Sequence, residues 1–585
     1  MGLRLVQLSL QQLLELRVAV PADAGSTHAL VQANLTGTHQ LYRVPLAGGP
    51  LERLTDEDEP VTGRFVPGSD CIVVSMDSGG NERQQLYLLE PGGRPEPLVV
   101  EPDFIHWSPR LSPDGRLVAY ACNRRNGVDF DVFVRDLESG EERIAFGLGG
   151  MCEPLGFSPD GRAVAVEQLT EKAGDNELWL VPLDGDPELL SPHDDEAFFG
   201  TPAWAGGHLY YATNTRRDTQ AIVRHGEGVV LESRWDLTCY ADPTGRRLLV
   251  SANEDGYSRL ELRDGRTLEL EAEVPLPGRG VAEDLYLSPP VFTPDGRTLV
   301  YGFTSPVEPG DVWAYEIETG ETRRLTRTHE DLDDLVEPEL HRIESFDGES
   351  VPVYLFELEG APVVIDIHGG PESQERPEWN PLHQWFVANG YAVAAPNVRG
   401  STGYGRHYEH LDDVEKRLDS VLDVVALHDW LGAERPAVLW GGSYGGYMVL
   451  AGLAFHPERW AAGVDIVGIS SLVSFLENTS AYRRAYRERE YGSLEHDRDF
   501  LESVSPLSRV DAIRVPLFVI HGANDPRVPL SEAEQLHASL TERGVPCELL
   551  VYEDEGHGLK KLSNRLDAYP RAVDFLGRVL AGVRA

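Results

Sequence analysis

The sequence predicts a chain in two parts: an all-β propeller of about seven blades, then an α/β domain on a doubly wound, mostly parallel sheet. Two observations carry this. Proline–glycine turns recur in register through the first half, and apolar strands alternate with helix-length segments after about residue 330. The 585-residue length agrees, being too great for one ordinary core.

The turn units come first. Leu111-Ser112-Pro113-Asp114-Gly115-Arg116, Phe157-Ser158-Pro159-Asp160-Gly161-Arg162 and Phe292-Thr293-Pro294-Asp295-Gly296-Arg297 share one form. Phe65-Val66-Pro67-Gly68, Thr201-Pro202-Ala203-Trp204 and Ala241-Asp242-Pro243-Thr244-Gly245-Arg246 are looser members. Their prolines are spaced by roughly 41–51 residues, the period of a four-stranded blade. Proline presets φ for a tight turn, and glycine takes the position needing positive φ. Alternating runs such as 117–120 and 298–301 follow the turns. A second strand follows in each unit, as at 131–134 and 177–180, and residues 40–44 and 311–315 extend the series at both ends. The weakest units lie between residues 200 and 285. Radial closure would leave only short, protected strand edges.

In the second half, residues 363–367, 392–395, 437–440, 463–467 and 517–520 read as buried parallel strands. Segments 418–431 and 533–541 read as covering helices. Before the propeller, Leu3, Val6, Leu10, Leu13 and Leu14 fall near helical spacing. The expected division is therefore an N-terminal helix over 1–20 that packs on the α/β domain, a propeller over 21–327 and the α/β domain over 328–585.

Composition narrows the function. With 52 Lys+Arg against 96 Asp+Glu, the net charge is −44. Such a chain repels phosphate backbones and anionic lipid, so neither nucleic acid nor a membrane is an expected partner. The five cysteines are scattered and form no C-x-x-C pair, so no metal site or disulfide framework is expected. Reduced thiols point to a cytoplasmic protein. Gln7, Gln11, Gln12 and Glu15 interrupt the apolar N-terminus, which does not read as a signal peptide. Exposed propeller edges leave room for a homo-oligomer.

Gly441-Gly442-Ser443-Tyr444-Gly445 follows a predicted strand and opens a predicted helix. That is the context of a nucleophile elbow, in which glycines permit a sharp turn and Ser443 is held exposed at the sheet's end. A serine hydroxyl needs a base, and the base needs an orienting carboxylate. In an α/β-hydrolase both follow the serine, acid first, at strand C-terminal ends. Asp525 follows strand 517–520, and His557 follows a strand around 549–552. Asp554 and Glu555 are rival acids but sit too near His557 in sequence to reach its Nδ1 easily. His521 is expected to pack at its strand end. An oxyanion hole needs backbone N–H donors. Tyr444, next after the nucleophile, supplies one. Gly369, in His368-Gly369-Gly370-Pro371 after strand 363–367, is the candidate for the second.

His368-Gly369-Gly370-Pro371, Asn397-Val398-Arg399-Gly400-Ser401-Thr402-Gly403-Tyr404-Gly405, Gly441-Gly442-Ser443-Tyr444-Gly445-Gly446-Tyr447 and His521-Gly522-x-x-Asp525-x-x-Val528-Pro529 occur in this order. Together they resemble the prolyl oligopeptidase family of serine peptidases, most of all its acylaminoacyl-peptidase branch. The likeness runs over essentially the whole chain. It implies a propeller that caps the active site, short peptides as substrates, no cofactor, and release of N-acylated residues from peptide N-termini. It also implies that Arg527, two residues after Asp525, binds a substrate carbonyl. The S1 pocket would draw on 480–486, where Tyr482 is a candidate. Tyrosines and arginines in that stretch put a purely apolar S1 in doubt. Free-amine and post-proline specificities, and an esterase or amidase on small acyl compounds, are the alternative readings.

Overall fold

The computed structural model describes residues 8–283 and 288–583. The propeller has seven blades, each a four-stranded antiparallel sheet taken in sequence order. The first runs from Ala19–Ala24 to Glu52–Arg53 and the last from Val291–Phe292 to Glu321–Arg324. Among the described residues, no strand is exchanged between them. The ring closes through side chains instead: Ala19, Ala29 and Val31 of the first blade share a buried cluster with Val300 and Val312 of the last.

Five of the six proline units connect the first and second strands of their blades; Thr201-Pro202-Ala203-Trp204 instead runs into the first strand of the fifth blade, Ala203–Ala205, so it is not a turn. Their regularity has a local cause. Ser112 Oγ accepts from Leu117 N (2.8 Å) and Ser158 Oγ from Ala163 N (3.0 Å). Asp242 and Thr293 repeat this bond to Arg247 N and Thr298 N. Strands of an antiparallel meander turn at alternate ends, so these motifs lie on the face away from the catalytic domain. The connections between second and third strands lie on the other face, and these meet the catalytic domain. Gly37 O accepts from Leu562 N, Gly79 O from Asn524 Nδ2, Thr170 O from Arg489 Nη1, and Gly256 O from Arg376 Nε. Asp218 O accepts from Arg406 N, and Pro306 O from Gln384 Nε2.

The catalytic domain holds an eight-stranded sheet: β1 (Glu339–Glu344), β2 (Ser350–Phe356), β3 (Val363–Ile367), β4 (Ala392–Pro396), β5 (Ala437–Gly442), β6 (Ala462–Ile466), β7 (Leu517–Gly522) and β8 (Cys547–Tyr552). The spatial order is β1-β2-β4-β3-β5-β6-β7-β8. The first two strands run antiparallel to their neighbours, and β3 to β8 are parallel. Apolar clusters cover both faces, as near-continuous hydrophobic strands require. This is the α/β-hydrolase arrangement that the strand pattern predicts.

The N-terminal helix is shorter than expected, Leu10–Leu14, and begins at a capping box of Ser9 and Gln12. Leu3 and Val6 lie outside the described residues. Leu10 and Leu14 are buried among Leu382, Phe386 and Leu576 of the catalytic domain. The helix ends early because the chain must enter the first blade: Val18 N already donates to Asn34 Oδ1. Among the described residues, no helix is long and apolar enough to cross a membrane.

Candidate active site

Strand β5 delivers Ser443 at φ 59°, ψ −115°, and the helix Tyr444–Phe455 starts at the next residue. A positive φ on serine costs on the order of 1–3 kcal/mol and persists only where the surroundings enforce it. Here they do. Ser443 N donates to Ile466 O (2.8 Å), and the first helical turn is pressed against β3. A Cβ on Gly445 would lie 2.0 Å from Ile367 O, so only glycine fits. The helix is buried on all sides from Tyr444 to Ala454, which makes it a fixed platform.

Gly369 lies beside the serine: a Cβ built on it would sit 3.4 Å from Ser443 Cβ. The loop is pinned by His368, whose Nδ1 is 2.8 Å from Gly369 O and whose Nε2 is 2.9 Å from Ser401 Oγ. Burial holds the His368 pKa below its ordinary value, which keeps the ring neutral.

Asp525 and His557 stand on the loops after β7 and β8. His557 Nδ1 lies 2.7 Å from Asp525 Oδ2. The other carboxylate oxygen accepts from Arg527 N (2.8 Å) and Val528 N (3.0 Å). Burial alone would raise the Asp525 carboxyl, but His557, then His521 and the Val528 amide, outweigh it and bring its pKa below the ordinary aspartate value. Glu555 points elsewhere, accepting from Lys560 N, Lys561 N and Asn564 Nδ2. His521 Nε2 donates to Val528 O, which supports the loop rather than the reaction.

The propeller reaches these same loops. Besides the Asn524–Gly79 bond, Gly80 packs against the backbone of Gly556, next to His557. Arg527 Nε donates to both oxygens of Glu82, at 2.7 and 2.9 Å. Arg527 is therefore engaged by the propeller, with 41% of its side chain still exposed. Tyr482 is 7% exposed and makes edge contacts, both at 5.5 Å, with the stacked rings of Trp107 and Phe130 in the third blade. In this structure it joins the two domains.

The next turns of the Ala481–Tyr491 helix face the propeller too. Tyr486 Oη donates to Glu372 Oε2 (2.9 Å), just past the His368–Pro371 loop. A cavity of about 190 Å³ lies between this helix and the fourth blade, lined by Met151, Glu153, Glu167, Leu169, Arg483 and Tyr486. Burial, then the charge of Glu153, pushes the Glu167 carboxyl up to about 7. Burial, then the Arg487 and Arg527 charges, lowers the Arg483 pKa. Sequence reasoning missed Glu82, Glu153, Glu167 and Glu372. Nothing marks them among 96 acidic residues. Only the strand pairing shows that Glu82 falls in a connection that faces the catalytic domain.

An elbow serine, a histidine–carboxylate pair and a glycine loop on an α/β-hydrolase sheet that meets a seven-bladed propeller define the class, a serine hydrolase. Residues 378–583 match the prolyl oligopeptidase family (Peptidase_S9). The catalytic domain belongs to this family of serine peptidases. The chain is similar to dipeptidyl peptidase family member 6 of Caenorhabditis elegans, 36% identical over 38% of the chain and 31% of that protein. Similarity to dipeptidyl aminopeptidase BIII of Pseudoxanthomonas mexicana is 27% over 88% of the chain and 79% of that protein. The match thus spans about a third of the first relative's length and most of the second's. Rat acylamino-acid-releasing enzyme is 26% identical over 37% of the chain and 31% of its own length. Among solved structures, a Mycobacterium tuberculosis puromycin-hydrolyzing peptidase superposes with a TM-score of 0.85 over 98% of this chain and 96% of that one, at 23% identity. At that identity the likeness speaks for the fold.

Proposed function

We propose that this chain is a serine peptidase that cleaves short units from peptide N-termini, with Ser443 as nucleophile, His557 as general base and Asp525 as its orienting acid. The observation that carries this is the 2.7 Å His557 Nδ1–Asp525 Oδ2 bond on loops of the sheet that presents Ser443 at a strained elbow. His557 takes the hydroxyl proton as Ser443 attacks the scissile carbonyl, then returns it to the leaving amine. Asp525 stabilises the imidazolium without taking the proton. The amides of Gly369 and Tyr444 stabilise the tetrahedral oxygen. Water then deacylates the serine. Arg527, held by Glu82, binds a substrate carbonyl upstream of the cleaved bond.

Selection among substrates falls to the propeller wall. The N-acyl reading expected from the sequence rests on the His368–Pro371 loop and the N-terminal helix, and the acylamino-acid-releasing relative matches over 37% of this chain. A relative whose match extends across the propeller, over 88% of this chain, is a dipeptidyl aminopeptidase. The fourth blade also brings Glu153 and Glu167 to a cavity against the helix that carries Tyr482. Carboxylates there suit a free ammonium, so we favour substrates with an unblocked N-terminus. Side-by-side rates on acetyl-aminoacyl, free dipeptidyl and internal-proline anilides test this. Faster cleavage of the acetylated substrate would return the N-acyl reading, and cleavage of simple esters alone would sink the peptidase reading.

A further inference from the structure

The glycine-rich motif at 397–405 has no part in the steps above, yet it borders a buried charge cluster that ends on the oxyanion residue. Tyr444, whose amide follows the nucleophile, is 0% exposed. Its hydroxyl lies 2.9 Å from Asp412 Oδ2 and 2.8 Å from Ser420 Oγ. Asp412 is itself fully buried and paired with Arg417, which also pairs with the Glu490 carboxylate and donates to Glu490 O (2.9 Å). The guanidinium sits over the Tyr444 ring at 5.4 Å and the Tyr491 ring at 4.7 Å. The motif makes room for this. Gly400, at φ 94°, has Asp412 Oδ1 where its Cβ would be, only 2.3 Å away. Any side chain there would expel the carboxylate.

Burying two carboxylates and a guanidinium is expensive, and such a cluster is weak evidence for stability. Its connections suggest another use. Asp412 ends a short segment, from Arg406, whose start is held by the propeller: His407 N donates to Asp218 Oδ1 (2.7 Å). Glu490 lies on the helix that carries Tyr482 into the third blade and Tyr486 to Glu372. Two propeller-contacting elements thus converge on the side chain of Tyr444.

We infer that Asp412 is a positioning residue, which fixes the Tyr444 ring through its hydroxyl and thereby sets the direction of the Tyr444 amide toward the tetrahedral oxygen. Arg417 keeps Asp412 in place, and Glu490 ties the pair to the substrate-facing helix. This rests on the proposed role of Tyr444 as an oxyanion donor. A misdirected donor loses its value in the transition state while leaving ground-state binding nearly untouched.

The test compares Tyr444→Phe, which removes one hydroxyl and keeps the amide, with Asp412→Asn and the double variant. Each is measured for kcat and KM on the best anilide substrate and for inhibition by a peptide aldehyde, whose hemiacetal oxygen occupies the oxyanion position. Both single variants should lose about 10- to 100-fold in kcat, with KM within about threefold and aldehyde affinity falling by the same factor as kcat. The double variant should be no worse than the poorer single one, because both act through one bond. Wild-type kcat and aldehyde affinity in folded Tyr444→Phe would overturn the inference, as would a change confined to KM or additive losses in the double variant. If Asp412→Asn does not fold, Tyr444→Phe alone decides. Ser443→Ala separates the two levels: retained activity there removes the serine mechanism itself, whereas a dead Ser443→Ala beside a normal Tyr444→Phe removes only the positioning role.

Discussion

Replacing Asp525 by asparagine tests the mechanism with the least disturbance of shape. Asp525 Oδ1 accepts two backbone N–H groups, from Arg527 and Val528. The new carboxamide must therefore keep its oxygen at that position, since a flip would set its NH₂ against both donors. Its nitrogen then occupies the place of Oδ2, 2.7 Å from His557 Nδ1. Two donors cannot face each other, so the imidazole must present Nδ1 as acceptor and carry its proton on Nε2. That is the nitrogen required to accept the Ser443 proton. A wrong tautomer in a serine triad lowers kcat by about 10⁴-fold, or about 5 kcal/mol of barrier. The assay is kcat and kcat/KM on the best anilide near neutral pH, with thermal melting as a check that the variant is folded. A loss of less than about tenfold in a folded variant would refute the assignment of Asp525 as the orienting acid of His557.

Two other predictions follow from groups on the propeller side. The Glu167 carboxyl, raised to about 7, is charged above that pH and neutral below it. If it receives the substrate ammonium, the ratio of kcat/KM for free-amine over acetylated substrate should fall as pH drops through about 7. Taking the ratio cancels the titration of the catalytic groups, and Glu167→Gln should flatten the profile; an unchanged profile in that variant removes Glu167 from recognition. The Tyr482 hydroxyl is buried and has no hydrogen-bond partner among the described residues. Tyr482→Phe should therefore leave stability unchanged or raise it by up to about 1 kcal/mol, read by chemical denaturation, because an unmade buried hydrogen bond is relieved. A loss above about 1 kcal/mol would show that the hydroxyl is satisfied.

Much of the architecture was legible because its signals are local. The turn at Ser158-Pro159-Asp160-Gly161 is stabilised within six residues, by Ser158 Oγ bonded to Asp160 and to Ala163 N. The third, sixth and seventh blades repeat such a device through Ser112, Asp242 and Thr293, so the period survives in the sequence. Strands β3 and β5 read correctly for a related reason: buried on both faces, they admit only apolar runs. The fifth blade was harder to read. Its first strand is only Ala203–Ala205, and its turn carries Gly206 and Gly207 without the proline motif. The N-terminal helix was overextended because the expected bound of residue 20 lies past the point where Asn34 captures Val18 N and turns the chain into a strand.

The motifs that disclose the propeller lie at the end of the blades that faces away from the catalytic domain. The connections that meet the catalytic domain, around Gly37, Gly79, Phe130, Thr170, Asp218, Gly256 and Pro306, share no pattern with one another. Each fits a different piece of one asymmetric surface, so no repeat can be preserved there. Gly79 meets Asn524, Asp218 meets the segment that leads to Asp412, and Phe130 meets Tyr482. The same division holds within the catalytic domain. Among the elbow glycines, Gly441 is dictated by short-range sterics, since its Cβ would lie 2.5 Å from Gly445 C within the same motif, and the motif is readable. Glu82 and Glu167 matter through contacts spanning hundreds of residues, and one glutamate looks like another until the chain is folded. On the proposed function, specificity is therefore written on the faces of the blades with the least regular sequence, while the histidine–carboxylate pair and the elbow follow from the regular part.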